Sequence, residues 1–214
     1  MSMARPIGPG VTHVRDAELG GRSDEDLLGR YRAGELRAMS EILSRYRRPL
    51  FTFVLRMCPD RSRAEDLTQE TFLRLVAHED TFQGQARLKT WMYKIARNLC
   101  LDERRRLKHR RHASMDESRD GSPNLHERVP AKALGAFDAT SSGELAKNIT
   151  RAIEALPDEQ REVFVLRQVE LLSFREIAEV VGIPENTAKS RMRYALERLQ
   201  TALSEHYERA EEKQ

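Results

Sequence analysis

Cysteine is scarce in this chain of 214 residues: Cys58 and Cys100 stand far apart, in neither a CxxC nor a Cys/His pattern. That spacing argues against a disulfide framework and against a zinc site, and leaves two buried, reduced thiols as the expectation. Aromatic residues make up only 6% of the sequence, with one tryptophan. No uninterrupted apolar run is long enough to cross a bilayer, and residues 1–21 hold no apolar core of the kind an export signal needs. A cytoplasmic protein without membrane insertion is therefore expected. Charge of one sign is not in large excess either, since the net charge is +3, so any affinity for nucleic acid must come from how charge is arranged. The sequence also lacks a Walker motif, a nucleophile with a paired base and a constellation of metal ligands. No enzymatic activity, cofactor, catalytic residue or metal site is expected.

Charge as such is plentiful, at 33% of residues, which suits thin helical bundles with wide wet surfaces better than one large core. The expected fold is all-α, two small helical domains joined by a flexible linker. Composition shifts place a disordered leader at 1–22, a helical module at 23–111, a linker at 112–143, a second module at 144–207 and a charged tail at 208–214. The linker is read from polar, turn-forming sequences such as Asp116 to Pro123 and Asp138 to Gly143, which bury too little apolar area to fold alone.

In the first module Leu36, Met39, Leu43, Tyr46, Leu50, Phe53 and Met57 recur at spacings of three and four, one stripe of a long helix in which Pro49 predicts a kink. A second helix is expected to open with a capping box of Ser62 and Glu65, and to bury Ala64, Leu67, Thr68, Thr71, Phe72, Leu75 and Val76. A third runs from about Leu88 with Trp91, Met92, Ile95, Ala96, Leu99 and Cys100 inward.

The outward faces of these two helices differ in chemistry. The second shows Glu65, Asp66, Gln69, Glu70, Leu73 and Arg74, an acidic, amide-bearing surface with one exposed leucine. It suits a protein partner, although a charge run alone is as well read as a solvated face. The third shows Lys89, Thr90, Tyr93, Lys94, Arg97 and Asn98 and runs on into a basic stretch from Arg104 to Arg111. Cations there supply counterion release, while Tyr93, Asn98 and the preceding Phe82 offer stacking and hydrogen bonds to exposed bases. Tyr93 at helical spacing is open to a core role as well. The connection from Asp80 to Arg87 holds Phe82 and Gly84, and is a place for an extruded base.

In the second module Leu145, Ile149, Ala152, Ile153 and Leu156 form a stripe that Pro157 ends, and Val163 to Leu166 form the buried part of the next helix. Ser173 and Glu176 make a capping box before Ile177, Ala178 and Val181, and Gly182 turns the chain toward a last helix with Ala188, Met192, Ala195, Leu199 and Leu203 inward. Asn186, Thr187, Lys189, Ser190 and Arg193 are left free near the start of that helix. This is a helix-turn-helix, whose second helix reads the major groove.

The whole pattern resembles the extracytoplasmic-function (ECF) sigma factors, which keep only regions 2 and 4 of the larger sigma proteins. The resemblance rests on Ala64 to Phe72, on Phe82-Gln83-Gly84 and Thr90 to Asn98 for region 2, and on Leu156-Pro157, Phe174 to Ala178 and Thr187 to Arg191 for region 4. It implies a promoter-specificity factor that binds core RNA polymerase through the β′ clamp helices and the β flap, binds promoter DNA, and is held by an anti-sigma factor. Residue by residue it implies that Asp66, Gln69 and Glu70 dock on core polymerase, and the exposed Leu73 of the same face joins them. It implies that Phe82 and Asn98 handle the −10 element, to which the outward face of the third helix adds Lys89, Tyr93, Lys94 and Arg97, and that Thr187, Lys189, Ser190, Arg193 and Tyr194 read the −35 element, to which the polar start of the last helix adds Asn186. Two other readings compete. A conventional helix-turn-helix regulator leaves the basic-aromatic third helix unexplained, and a metal-dependent nuclease needs a third ligand beside Asp66 and Glu70.

Overall fold

The computed structural model describes residues 21–84, 86–117 and 142–211; most of the expected leader and linker, and the end of the tail, lie outside them. The described residues are helical: α1 (Asp24–Arg32), α2 (Leu36–Met57), α3 (Arg61–Ala77), α4 (Leu88–Glu117), α5 (Ser142–Ala155), α6 (Asp158–Gln168), α7 (Phe174–Val181) and α8 (Glu185–Glu211), with a single 3-10 turn at Glu79–Thr81. α4 continues to Glu117, into the stretch expected as linker. No described helix is long and apolar enough to cross a membrane.

In the first module α2 packs on α1, α3 and α4. Its buried face is Ala38, Met39, Ile42, Leu50, Phe53, Val54 and Met57. Leu36, expected on that face, is 72% exposed. It stands at the first position of the helix, before the stripe meets a neighbour, and Ile42 fills the core instead. The expected capping box on α3 is also corrected: Asp60 caps the helix by accepting a hydrogen bond from the Arg63 amide, so the chain enters the helix two residues before Ser62. Thr68 and Thr71 are buried because their hydroxyls donate to the carbonyls of Ala64 and Leu67. Cys58 and Cys100 are free and buried, as expected.

In the second module the Ser173–Glu176 capping box is formed, and Gly182 ends α7 at φ 73°, a backbone conformation that glycine adopts without penalty. α8 buries Ala188, Met192, Ala195 and Leu199 against the preceding helices. The buried apolar side chains of the two modules form one continuous cluster, because α7 packs on α4 and α6 on α2. Each module is thus a small bundle, and in the free chain the second sits against the first.

Candidate docking and nucleic-acid surfaces

Asp66, Gln69, Glu70 and Leu73 follow one another at spacings of three, one and three, which places them on one face of α3, and all four reach solvent. Leu73 is 65% exposed. The carboxylates do not stand alone: Arg63 binds Asp66 at 3.2 Å and Arg74 binds Glu70 at 2.8 Å. Exposed pairs of this kind contribute only about 0.3–0.5 kcal/mol each. Both carboxylates can therefore exchange their arginines for a partner's groups at little cost. A tie from behind fixes the helix. Arg63 also reaches the carboxylate of buried Glu103 on α4 through two hydrogen bonds of 3.0 and 2.6 Å, and that guanidinium holds Glu103 below the usual carboxylate range against the opposing effect of burial.

The loop before α4 is held by residues far away in sequence. Arg32, at the end of α1, reaches the Glu79 carboxylate and the Phe82 carbonyl, each at 2.9 Å, and Glu25 accepts the Leu88 amide at the start of α4. Gly84, at φ 72°, makes the turn. Phe82 then lies against Trp91, ring centroids 5.3 Å apart, at the edge of a hollow of about 320 Å³ lined by Arg74, His78, Thr81, Trp91, Ile95 and Asn98. Of these six, sequence reasoning had singled out only Asn98 for contact with bases. Arg32, Glu25, His78 and Thr81 carry no local signal, because their positions depend on how α1 and α3 meet the loop.

The six residues expected at the −10 element divide into two groups on α4 and its loop. Phe82, Lys94 and Asn98 lie on the open side, with Lys94 and Asn98 exposed and Phe82 half-buried. Lys89, Tyr93 and Arg97, spaced by four, form a stripe that the second module covers. Lys89 donates its ammonium to the Glu170 carbonyl, the Tyr93 hydroxyl donates to the Glu170 carboxylate, and Arg97 binds the Glu162 carboxylate. Tyr93 is fully buried, edge-on to Phe53 at 5.3 Å. Burial pushes its hydroxyl pKa well up, and the neighbouring Glu170 adds to the rise. The same burial raises Glu162 and Glu170, opposed by the hydrogen bonds from Arg97 and Tyr93. Thr90, expected outward, is a correction: it is 2% exposed and faces the core, since it falls between the two outward stripes of the helix.

At the start of α8, Asn186, Lys189, Arg193 and Tyr194 are exposed and Thr187 and Ser190 half-buried. Lys189 pairs with Glu185 at 2.7 Å, and the Arg193 guanidinium lies over the Tyr194 ring, 4.7 Å from its centroid. The Ser190 hydroxyl donates back to the Thr187 carbonyl at 3.0 Å, so of the six it is the one already engaged by its own helix backbone. The face is free of the other helices and has the makeup of a groove-reading surface.

Residues 42–110 match Sigma-70 region 2 and residues 146–199 match Sigma-70, region 4. The ECF RNA polymerase sigma factor SigW of Bacillus subtilis is 31% identical over 79% of this chain and 91% of its own length. SigL of Mycobacterium tuberculosis, of the same description, is 31% identical over 81% and 93%. Among solved structures, the sigma factor RpoE of Bartonella quintana, crystallised with the anti-sigma factor NepR, superposes with a TM-score of 0.59 at 27% identity, covering 77% of this chain and 96% of that one. CnrH, in complex with the cytosolic domain of CnrY, shares the fold at 20% identity and a TM-score of 0.62, over 86% and 98%. Both modules are matched in the order in which the chain presents them, and the chain belongs to the ECF RNA polymerase sigma factors, a family of transcription initiation factors.

Proposed function

We propose that this chain docks on core RNA polymerase through the Asp66, Gln69, Glu70 and Leu73 face of α3, reads the −35 element with the start of α8, and captures separated −10 bases on the Phe82–Asn98 side of α4. The observation that carries this reading is the combination, in one chain, of an acidic face with an exposed leucine, an aromatic-walled hollow beside a basic helix, and a polar recognition helix. A dimeric regulator needs only the last of these.

The mechanism is differential binding. Unstacking a base costs a few kcal/mol, and stacking beside Phe82 and Trp91 with hydrogen bonds from Asn98 and Arg74 offsets that cost only once the strand is open. Binding free energy of this kind shifts the duplex toward the melted state without bond-breaking chemistry. α8 meanwhile anchors on paired DNA upstream, where Lys189 and Arg193 suit guanine and Asn186 suits adenine. The chain's likeness to the Bartonella quintana sigma factor, which was crystallised with its anti-sigma factor, supports an anti-sigma partner here as well. Run-off transcription with purified core polymerase over a promoter library tests the proposal. Initiation at a defined pair of elements is expected, and a failure to start RNA synthesis at any site refutes it.

A further inference from the structure

Neither the docking face on α3 nor the DNA-facing sides of α4 and α8 involve α1, yet α1 holds both ends of the loop that carries Phe82. At the near end Arg32 makes three hydrogen bonds: Nε donates to the Glu79 carboxylate at 2.9 Å, and Nη2 donates to the Glu79 carbonyl and, at 2.9 Å, to the Phe82 carbonyl. At the far end the Glu25 carboxylate accepts the Leu88 amide at 3.0 Å, one of the first-turn donors of α4 that have no partner within the helix. α1 is itself anchored. Leu27 and Leu28 are buried, and Asp24 binds Arg45 of α2 at 3.0 Å and accepts the Tyr46 hydroxyl from the same helix. We propose that Arg32 is a positioning residue for base capture: it touches no base itself, and it keeps the Glu79–Phe82 segment folded so that the Phe82 ring stands on Trp91 before a separated strand arrives. This rests on the reading of Phe82 and Asn98 as base-handling residues.

The segment is weakly ordered by its own contacts. The Thr81 amide and hydroxyl donate to the His78 carbonyl at 3.0 and 2.7 Å, and the Phe82 amide donates to the Glu79 carbonyl at 3.3 Å. A 3-10 turn of three residues has poor hydrogen-bond geometry, and Gly84, two residues beyond Phe82, has wide backbone freedom. The Phe82 ring meets Trp91 at 5.3 Å with 33° between the ring planes, and its place there follows from the backbone whose carbonyl Arg32 holds. Arginine suits the task. Its planar guanidinium reaches three acceptors at once from a fixed fork, which a lysine ammonium lacks. The Glu79 carboxylate also neutralises Arg32, which makes it a poor phosphate contact. Without the brace, a base that fits must order the loop as it binds, whereas one that does not fit leaves the loop open. Discrimination between the two then falls by the cost of ordering.

The test compares the natural full chain with Arg32→Gln and Arg32→Lys. Trp91 is the one tryptophan of the sequence, so its emission in the free chain reports on the Phe82 contact. Release of the loop should shift that emission to the red and raise its quenching by acrylamide in both variants, with helicity by circular dichroism unchanged. Run-off transcription by core polymerase loaded with each chain, over a random promoter library, then gives the base preference at every position. Discrimination at the captured −10 base should fall about two- to tenfold in both variants, the effect of ordering one such side chain on binding, while the −35 preferences stay as they are. A merely structural role lowers use of all promoters alike and leaves the preferences unchanged. That result overturns the assignment, as does Trp91 emission unmoved by Arg32→Gln. Recovery of the natural −10 preference by lysine makes charge alone sufficient and overturns it too. Should Arg32→Gln lose helicity, Glu79→Gln serves instead, because it withdraws an acceptor from the loop and leaves α1 intact. It must then move Trp91 emission and flatten the −10 preference in the same direction, and an unchanged preference refutes the brace. If the natural chain starts no RNA, the sigma-factor reading itself fails; if it does so with a clear −10 preference, only the role of Arg32 is at stake.

Discussion

Replacing Leu73 with alanine isolates the docking face from the stability of the fold. The side chain is 65% exposed, so about two thirds of its surface is available for a partner to cover. Fully burying a leucine is worth about 1.5–3 kcal/mol, and two thirds of that is about 1–2 kcal/mol, or about 5- to 30-fold in the Kd for core polymerase. The variant should unfold at nearly the same temperature as the natural chain, because little packing is lost and alanine is a strong helix former. Leu36→Ala is the matched control: that leucine is 72% exposed but belongs to α2 rather than to the helix that carries Asp66, Gln69 and Glu70. Fluorescence anisotropy titration against core polymerase, with thermal melts of both variants, decides the matter. Equal loss of affinity in the two variants, or a lowered melting temperature for Leu73→Ala with unchanged affinity, refutes the assignment of the face.

Lys189→Ala and Arg193→Ala should each weaken binding to duplex DNA carrying the −35 element by about 1–3 kcal/mol if they read bases, with the loss concentrated at particular base positions in a mobility-shift series. Uniform loss over all sequences makes them phosphate contacts. Glu103→Gln should destabilise the first module by about 1–2 kcal/mol near neutral pH, a figure kept low because Arg63 is partly solvated. Since the Glu103 carboxyl is held below its ordinary pKa in the folded chain, its contribution is present above that ordinary value and is lost as the pH falls through the folded one. Urea melts of the variant and the natural chain should accordingly converge in acid and stay apart at neutral pH. Leu171→Asn should stabilise the chain by about 0.5–1 kcal/mol, because the leucine adopts φ 57° with its side chain 77% exposed, and asparagine tolerates that conformation better. Denaturant midpoints measure it, and a destabilised variant refutes the strain at this turn.

The helices from α2 onward, the α7 capping box and the recognition-helix stripe were legible because each is encoded within a few turns of chain. Residues at spacings of three and four must share a face, and Ser173 with Glu176 must meet if a helix starts there. The same local rule misplaced the α3 cap, where Asp60 competes with Ser62 and starts the helix two residues earlier. It could not show that Arg32 would hold the Phe82 loop, nor that Glu162 and Glu170 would lie over α4. Those contacts join residues 50, 65 and 77 positions apart. A weak signal was present all the same. Glu162 falls at a buried position of α6 beside Val163, and an acid inside an apolar stripe calls for a cation from elsewhere in the fold.

The surfaces that stay open in the closed chain set an order of events. α3 turns Asp66, Gln69 and Leu73 to solvent, and the start of α8 turns Asn186, Lys189 and Arg193 to solvent, while the Lys89–Tyr93–Arg97 stripe is covered. A ligand bound equally by the closed and open chains shifts nothing, and one that binds only the open chain is weakened by the scarcity of that state. On the proposed assignment of the sites, docking through α3 alone is of the first kind, and DNA that needs the covered α4 stripe is of the second.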